Sequence, residues 1–269
     1  MLPRDESRYR TRAVRGVSYF TSKRAYDDLT IVAKRFPGPA NGTPDQPNTT
    51  FVLVHGIGVS SRYFGPAAAA LTRYGPVLAI DLPGYGSAPN PRRDVTLADH
   101  AAVLAAFLEE TGVRNPVLVG HSMGCQVVSM VAVDSPGVSD RLVLIGATMP
   151  PDVRTPLTAG WRLFLDILRE PFVSNLVVVT DYLFRCGIPY YFRQLPHLLG
   201  DRLENRLPLV TAKTLVINGD RDPVVLRKWA EFWSKITPGA RLEIVDGPHV
   251  VMFTDPERVA ALIAEHARR

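Results

Sequence analysis

Gly120-His121-Ser122-Met123-Gly124 sets a serine hydroxyl between glycines two residues away on either side. The apolar run Val117-Leu118-Val119 precedes it, and a second apolar stretch of helical character, Met123–Asp134, follows. A buried strand turning sharply into a helix holds such a serine in a strained backbone conformation with its hydroxyl exposed, and the glycines permit that close approach. A hydroxyl is a poor nucleophile at neutral pH until a base removes its proton. A histidine suits that task, and a buried carboxylate then fixes the imidazole's tautomer and stabilises its cation. Asp222 and His249 supply the two groups in the order serine, acid, histidine, each just past a strand-like run.

Asp222 has rivals as the acid. Asp220 lies two residues earlier, Asp152 follows the preceding strand, and Asp246 stands close to His249 before a Gly-Pro turn. Asp222 is preferred for its Gly-x-x-Asp spacing. Acyl transfer also needs donors for an oxyanion. The backbone N–H of Met123, directly after the serine, is one, and Ile57 in His55-Gly56-Ile57-Gly58 is the expected second. Of the other histidines, His121 is read as packing under the turn and His55 as shaping the oxyanion loop. His100 and His266 fall on helices, and His197 lies where it could touch substrate.

These residues need a scaffold that brings strand ends together. Phe51–Val54, Val77–Ile80, Val117–Val119, Leu142–Ile145, Thr214–Ile217 and Leu242–Val245 are short runs ending at a polar residue or glycine. Most do not alternate polar with apolar, the mark of strands covered on both faces. Helical stretches separate them: Pro66–Tyr74, Leu97–Glu110, Met123–Asp134, Val225–Lys235 and Pro256–Ala267. Thr96 and Asp99 have the spacing of a capped helix start. Gly16–Phe20 and Leu29–Phe36 lead in as two strands, with a hairpin turn among Lys23, Arg24, Asp27 and Asp28. The expected class is therefore α/β, a mostly parallel sheet with helices on both faces.

Residues 150–209 break the rhythm. Trp161, Leu163, Phe164, Leu165, Ile167 and Leu168 recur at helical spacing among prolines. The segment is read as a helical insertion, a lid over the carboxyl edge of the sheet, dividing the core into 16–149 and 210–269. Trp161 and Phe164 are its candidate substrate contacts; other aromatics should seal its own interior.

Composition excludes several alternatives. The chain of 269 residues is 46% hydrophobic and 21% charged, ordinary for a soluble domain with a large core. Its net charge of +5 owes much to Arg4, Arg8, Arg10, Arg12 and Arg15, so residues 1–15 read as a basic, solvated arm rather than a nucleic-acid surface. Phe172–Val179 is too short to span a bilayer, and no secretory leader pattern is present. Two cysteines, Cys125 and Cys186, make no disulfide framework. A cytoplasmic protein with reduced thiols is expected, with no stable membrane insertion. No metal-ligand spacing and no Gly-rich phosphate loop occur, so neither metal nor cofactor is expected.

Together, His55-Gly56, Asp81-Leu82-Pro83-Gly84-Tyr85-Gly86-Ser87, Gly120–Gly124, Gly219-Asp220-Arg221-Asp222 and Pro248-His249 resemble the α/β-hydrolase superfamily, in its lid-bearing serine branch of esterases, lipases and carbon–carbon bond hydrolases. The resemblance runs from about Gly16 to the end. It implies a serine esterase acting on a hydrophobic small molecule. Ser122 argues against the dehalogenases and epoxide hydrolases of this superfamily, whose nucleophile is aspartate. Carbon–carbon or thioester cleavage by the same residues remains open. An acidic substrate would want an arginine from Arg154, Arg162, Arg185 or Arg193. A non-catalytic binding or receptor protein on the same fold is the third reading. The sequence is silent on oligomeric state.

Overall fold

Asp27, at φ 52°, turns the chain between β2 (Val17–Tyr26) and β3 (Leu29–Phe36). The hairpin is tighter than its charged residues implied, because Lys23 and Arg24 lie within β2 and pair with Val32 and Ile31. The computed structural model describes residues 12–39, 49–149, 154–169 and 172–269. Within the stretch read as a basic arm, Arg12–Val14 form β1, antiparallel to β2, while positions 1–11 lie outside the described residues.

The apolar runs become β4 (Phe51–Val54), β5 (Val77–Asp81), β6 (Val117–His121), β7 (Arg141–Ile145), β8 (Lys213–Gly219) and β9 (Arg241–Val245). Their order in the sheet is β1-β2-β3-β5-β4-β6-β7-β8-β9. From β5 through β9 neighbouring strands run parallel, whereas β1, β2 and β3 are antiparallel to their neighbours. Side chains alternate across this sheet. Val52, Val54, Leu118, Leu142 and Leu144 face a core shared with α2 (Leu97–Glu110), α3 (Met123–Asp134) and α8 (Arg227–Ile236). Phe51, Leu53, Val119, Val143 and Ile145 face the other, shared with α1 (Gly65–Leu71) and α10 (Pro256–Ala267). Burial on both faces explains the unbroken apolar runs; each buried aliphatic side chain contributes about 1.5–3 kcal/mol.

Local signals set the helix ends. Thr96 Oγ1 accepts from the Asp99 N–H at 3.1 Å and Asp99 Oδ2 accepts from the Thr96 N–H at 2.8 Å, a reciprocal cap opening α2. Asp255 caps α10 ahead of Pro256, a residue suited to the first helical turn.

Between β7 and β8 the described elements are all helical: α4 (Pro156–Arg169), α5 (Phe172–Asp181), a π-helical turn at Tyr182–Cys186, α6 (Ile188–Gly200), α7 (Leu203–Arg206) and a 3₁₀ turn at Leu207–Leu209. Buried polar contacts fasten them to the core. Tyr190 donates to the Pro83 carbonyl at 2.8 Å, Gln194 to that of Val95 at 2.9 Å, and Gln126 to that of Leu198 at 3.0 Å. The final short helix, α9 (Val251–Thr254), follows His249. No described helix is long and apolar enough to cross a membrane. Cys125 and Cys186 are buried free thiols.

Candidate active site

The sheet changes its direction of growth beside β4. The chain passes from β4 to β5 on one side, then crosses through α2 to β6 on the other. In open α/β sheets such a switch opens a crevice at the carboxyl ends of the strands. There β4 delivers His55-Gly56-Ile57-Gly58 and β6 delivers Ser122.

Ser122 sits between β6 and α3 at φ 53°, ψ −121°, a sparsely populated conformation for any residue but glycine. Such strain costs on the order of 1–3 kcal/mol and persists only where neighbours enforce it. Here the Ser122 N–H donates to the Ile145 carbonyl at 3.0 Å, tying the turn to β7. The flanking glycines leave no room for a side chain. A Cβ on Gly120 would lie 2.5 Å from the Gly124 carbonyl oxygen, and one on Gly124 would strike the backbone of Val54. Met123, next in the chain, opens α3, where helix N–H groups favour developing negative charge. Tyr85 donates to its sulfur at 3.6 Å.

Asp222 and His249 meet beside this turn. Asp222 Oδ2 lies 2.8 Å from His249 Nδ1, and both residues are buried. Asp222 Oδ1 accepts the N–H groups of Val224 and Val225 at 2.7 and 2.8 Å. The carboxylate is therefore held at both oxygens, with one turned to the imidazole. The two rival acids among the described residues are engaged elsewhere. Asp220 accepts the Gly247 N–H at 2.9 Å, Asp246 pairs with Arg221 at 2.8 Å on the surface, and Asp152 lies outside the described residues.

Two further histidines lock the loops. His121 Nδ1 is 2.6 Å from Tyr63 Oη, which also accepts the Gly56 N–H at 2.8 Å; His121 Nε2 is 3.1 Å from the His249 carbonyl. A carbonyl only accepts, so His121 carries its proton on Nε2 and takes the tyrosine proton at Nδ1. Burial, reinforced by nearby His249, pushes the His121 pKa well below its ordinary value, in keeping with that neutral form. His55 has the opposite tautomer. Its Nδ1 donates to the Gly56 carbonyl at 2.7 Å, while Nε2 accepts the Leu82 N–H at 3.1 Å; burial again lowers its pKa.

Ser122 and His249 line one cavity of about 50 Å³. Ile57, Val59, Val178, Tyr182 and Val250 supply its apolar walls, so α5 and the π-turn close it from the insertion side. Trp161 is elsewhere: it is 60% exposed on α4 and is not among the residues lining this cavity. The side chain of Phe164 lies outside the described residues. Sequence reasoning overlooked Tyr63, Val178 and Gly146. Gly146 directly follows β7 at φ 51°, and a Cβ there would come within 2.8 Å of His249 Cε1. That residue could have been singled out as a glycine at a strand end; Tyr63 and Val178 carry no such local mark. Among the described residues, no group of three or more His, Cys, Asp or Glu side chains could hold a metal ion.

The model of the alpha/beta hydrolase family matches residues 51–262. Among curated proteins, the chain is 34% identical over 252 residues to the dihydrolipoyllysine-residue acetyltransferase component of the acetoin cleaving system of Cupriavidus necator, covering 81% of this chain and 63% of that protein. It is 26% identical over 246 residues to a poly(3-hydroxyalkanoate) depolymerase of Ectopseudomonas oleovorans, covering 82% and 85%. Among solved structures, the enol-lactonase of Burkholderia xenovorans superposes with a TM-score of 0.77 at 15% identity, over 92% of this chain and all of that one (100%).

Proposed function

This chain belongs to the alpha/beta hydrolase family, and from that premise we propose that it is a serine hydrolase cleaving a carboxylic ester or a related acyl substrate. The observation that carries the reading is the 2.8 Å contact between Asp222 Oδ2 and His249 Nδ1, with His249 and Ser122 on one cavity wall.

In this mechanism Ser122 Oγ attacks the acyl carbon as His249 Nε2 takes its proton, while Asp222 holds the Nδ1 proton and stabilises the imidazolium. The carbonyl electron pair moves to oxygen, where the N–H groups of Ile57 and Met123 receive it. The tetrahedral intermediate collapses, the leaving alcohol takes the proton from His249, and an acyl-serine remains. Water, deprotonated by the same imidazole, then releases the acid and regenerates Ser122.

The walls favour a small apolar acyl group, since the cavity is about 50 Å³ and Ile57, Val59, Val178 and Val250 line it together with the rings of Tyr63 and Tyr182. The insertion arginines speak against an acidic substrate. Arg154 pairs with Glu204, Arg162 donates to the Pro223 and Val224 carbonyls, Arg185 faces Asp181, and Arg193 lies over Tyr190. None of the four lines the cavity. A depolymerase of hydroxyalkanoate polymers among the relatives agrees with the ester reading.

A fluorophosphonate probe tests the proposal. The wild type should label stoichiometrically, Ser122→Ala should not label, and His249→Ala should label far more slowly. A wild type that does not label removes the serine-hydrolase reading. A p-nitrophenyl ester series should then peak at short acyl chains.

A further inference from the structure

A buried carboxylate joins the insertion to the loop that carries Ile57. Asp181, the last residue of α5, is fully buried. Its Oδ1 accepts from Arg62 Nη1 at 2.7 Å, with Arg185 Nε at 3.5 Å; its Oδ2 accepts from Ser60 Oγ at 2.5 Å. Ser60 in turn caps the short 3₁₀ turn Ser61–Phe64, its Oγ 3.3 Å from the Arg62 N–H. From the core side Asp81 accepts the Ser61 N–H at 2.8 Å. Residues 60–62 are thus gripped by one carboxylate from the sheet and another from the insertion. Tyr182, the residue after Asp181, presses its ring so close to Gly58 that no side chain fits between them.

A carboxylate out of water is tolerated only when paired and hydrogen-bonded, so Asp181 and its partners fix one another's places. Ile57 lies three residues before Ser60, just ahead of this doubly held segment. We infer that Asp181 is a positioning residue for the oxyanion loop, acting through Ser60 and Arg62, so that the insertion governs turnover as well as enclosing the cavity. The inference rests on the oxyanion role given to Ile57 above.

The test separates hole geometry from ground-state binding. Asp181→Asn and Ser60→Ala are compared with the wild type on a short p-nitrophenyl ester, with kcat expressed per fluorophosphonate-titrated site. Inhibition by a trifluoromethyl ketone is measured alongside. Ser122 adds to that ketone, the proton passes to His249, and the carbonyl electron pair becomes an oxyanion in the hole. A misplaced donor should lower kcat about 10- to 100-fold and raise the inhibition constant for the ketone in parallel. KM should stay within about twofold, because only the tetrahedral state uses the donor. Arg62→Lys, which keeps the charge, should retain more turnover than Arg62→Gln. Unchanged kcat per titrated site in Ser60→Ala and Asp181→Asn, or a rise in KM alone, would overturn the inference. A wild type without labelling is a distinct failure, which removes the reading on which the inference stands and the inference with it.

Discussion

Tyr63 Oη stands 2.6 Å from His121 Nδ1 and 2.8 Å from the Gly56 nitrogen, so one phenol ties the loop after β4 to the histidine beside Ser122. Because His121 continues to the His249 carbonyl, a single file of hydrogen bonds links the segment bearing Ile57 with the residue read as the base. Tyr63→Phe removes the acceptor for a buried N–H and the donor to a buried ring nitrogen at one stroke. An unsatisfied buried group costs about 1–3 kcal/mol. Urea unfolding should show a loss of that order, and turnover per titrated site should fall with it. A variant as stable and active as the wild type would mean that the file carries no weight.

Gly146 approaches His249 from β7 and makes a sharper prediction. At φ 51° an alanine is already strained, and its Cβ would sit 2.8 Å from Cε1 and 2.9 Å from Nδ1 of the imidazole. The ring must shift from its place beside Asp222, whose Oδ2 the added carbon would also approach to 3.5 Å. Misplacement on that scale can cost about 100-fold in rate, so Gly146→Ala should lose kcat/KM to that extent. Gly239→Ala is the control: φ is 64°, yet nothing lies within 4 Å of the added carbon. It should cost some stability and no activity.

The difference between these residues and Ser122 explains what could be read in advance. Ser122 sits in a local pattern, and the apolar runs around it report burial on both sheet faces through composition alone. The ends of α2, α3 and α10 were legible because caps and helical periodicity are local in sequence; α2 and α10 open on side-chain caps, whereas α3 opens without one, directly after the Gly-x-Ser-x-Gly serine. Strand order was not, since β3 next to β5 and β4 between β5 and β6 are choices of long-range pairing. Tyr63 and Asp181 were invisible as site residues for a related reason. Each acquires its meaning from a partner far along the chain, His121 at 58 residues and Ser60 at 121. The aromatic character of Trp161 does not tell an inward from an outward helix face, and its ring is exposed.

Three nearby carboxylates can be told apart by charge removal. Asp222→Asn preserves the shape and can keep the Val224 and Val225 bonds through its carbonyl oxygen. Its NH₂ then faces His249 Nδ1 and forces the proton onto Nε2, where a base must be vacant. The analogous change in a serine triad lowers kcat about 10⁴-fold, and a loss of that order is expected here. Asp220→Asn can still accept the Gly247 N–H, and Asp246→Asn only loosens an exposed pair with Arg221, so both should stay within about tenfold of wild type. If Asp220→Asn is the variant that collapses, the acid has been misassigned.

His100 makes the fold sensitive to acid independently of catalysis. It is buried on α2 with Nε2 3.1 Å from Gln194 Oε1, and burial pulls its pKa down to about 4. His55, His121 and His266 are lowered as well, each chiefly by burial. In the unfolded chain these imidazoles titrate near their ordinary value of about 6.5. Between that value and the lower folded values the unfolded state binds more protons, so stability rises with pH there. It should be complete above about pH 6.5 and decline as pH falls toward 4. Thermal unfolding across that window measures the decline. His100→Gln keeps a donor for Gln194 and cannot titrate, so its midpoint should fall less steeply than that of the wild type. Parallel curves would show that protonation of His100 does not contribute to the acid limit of the fold.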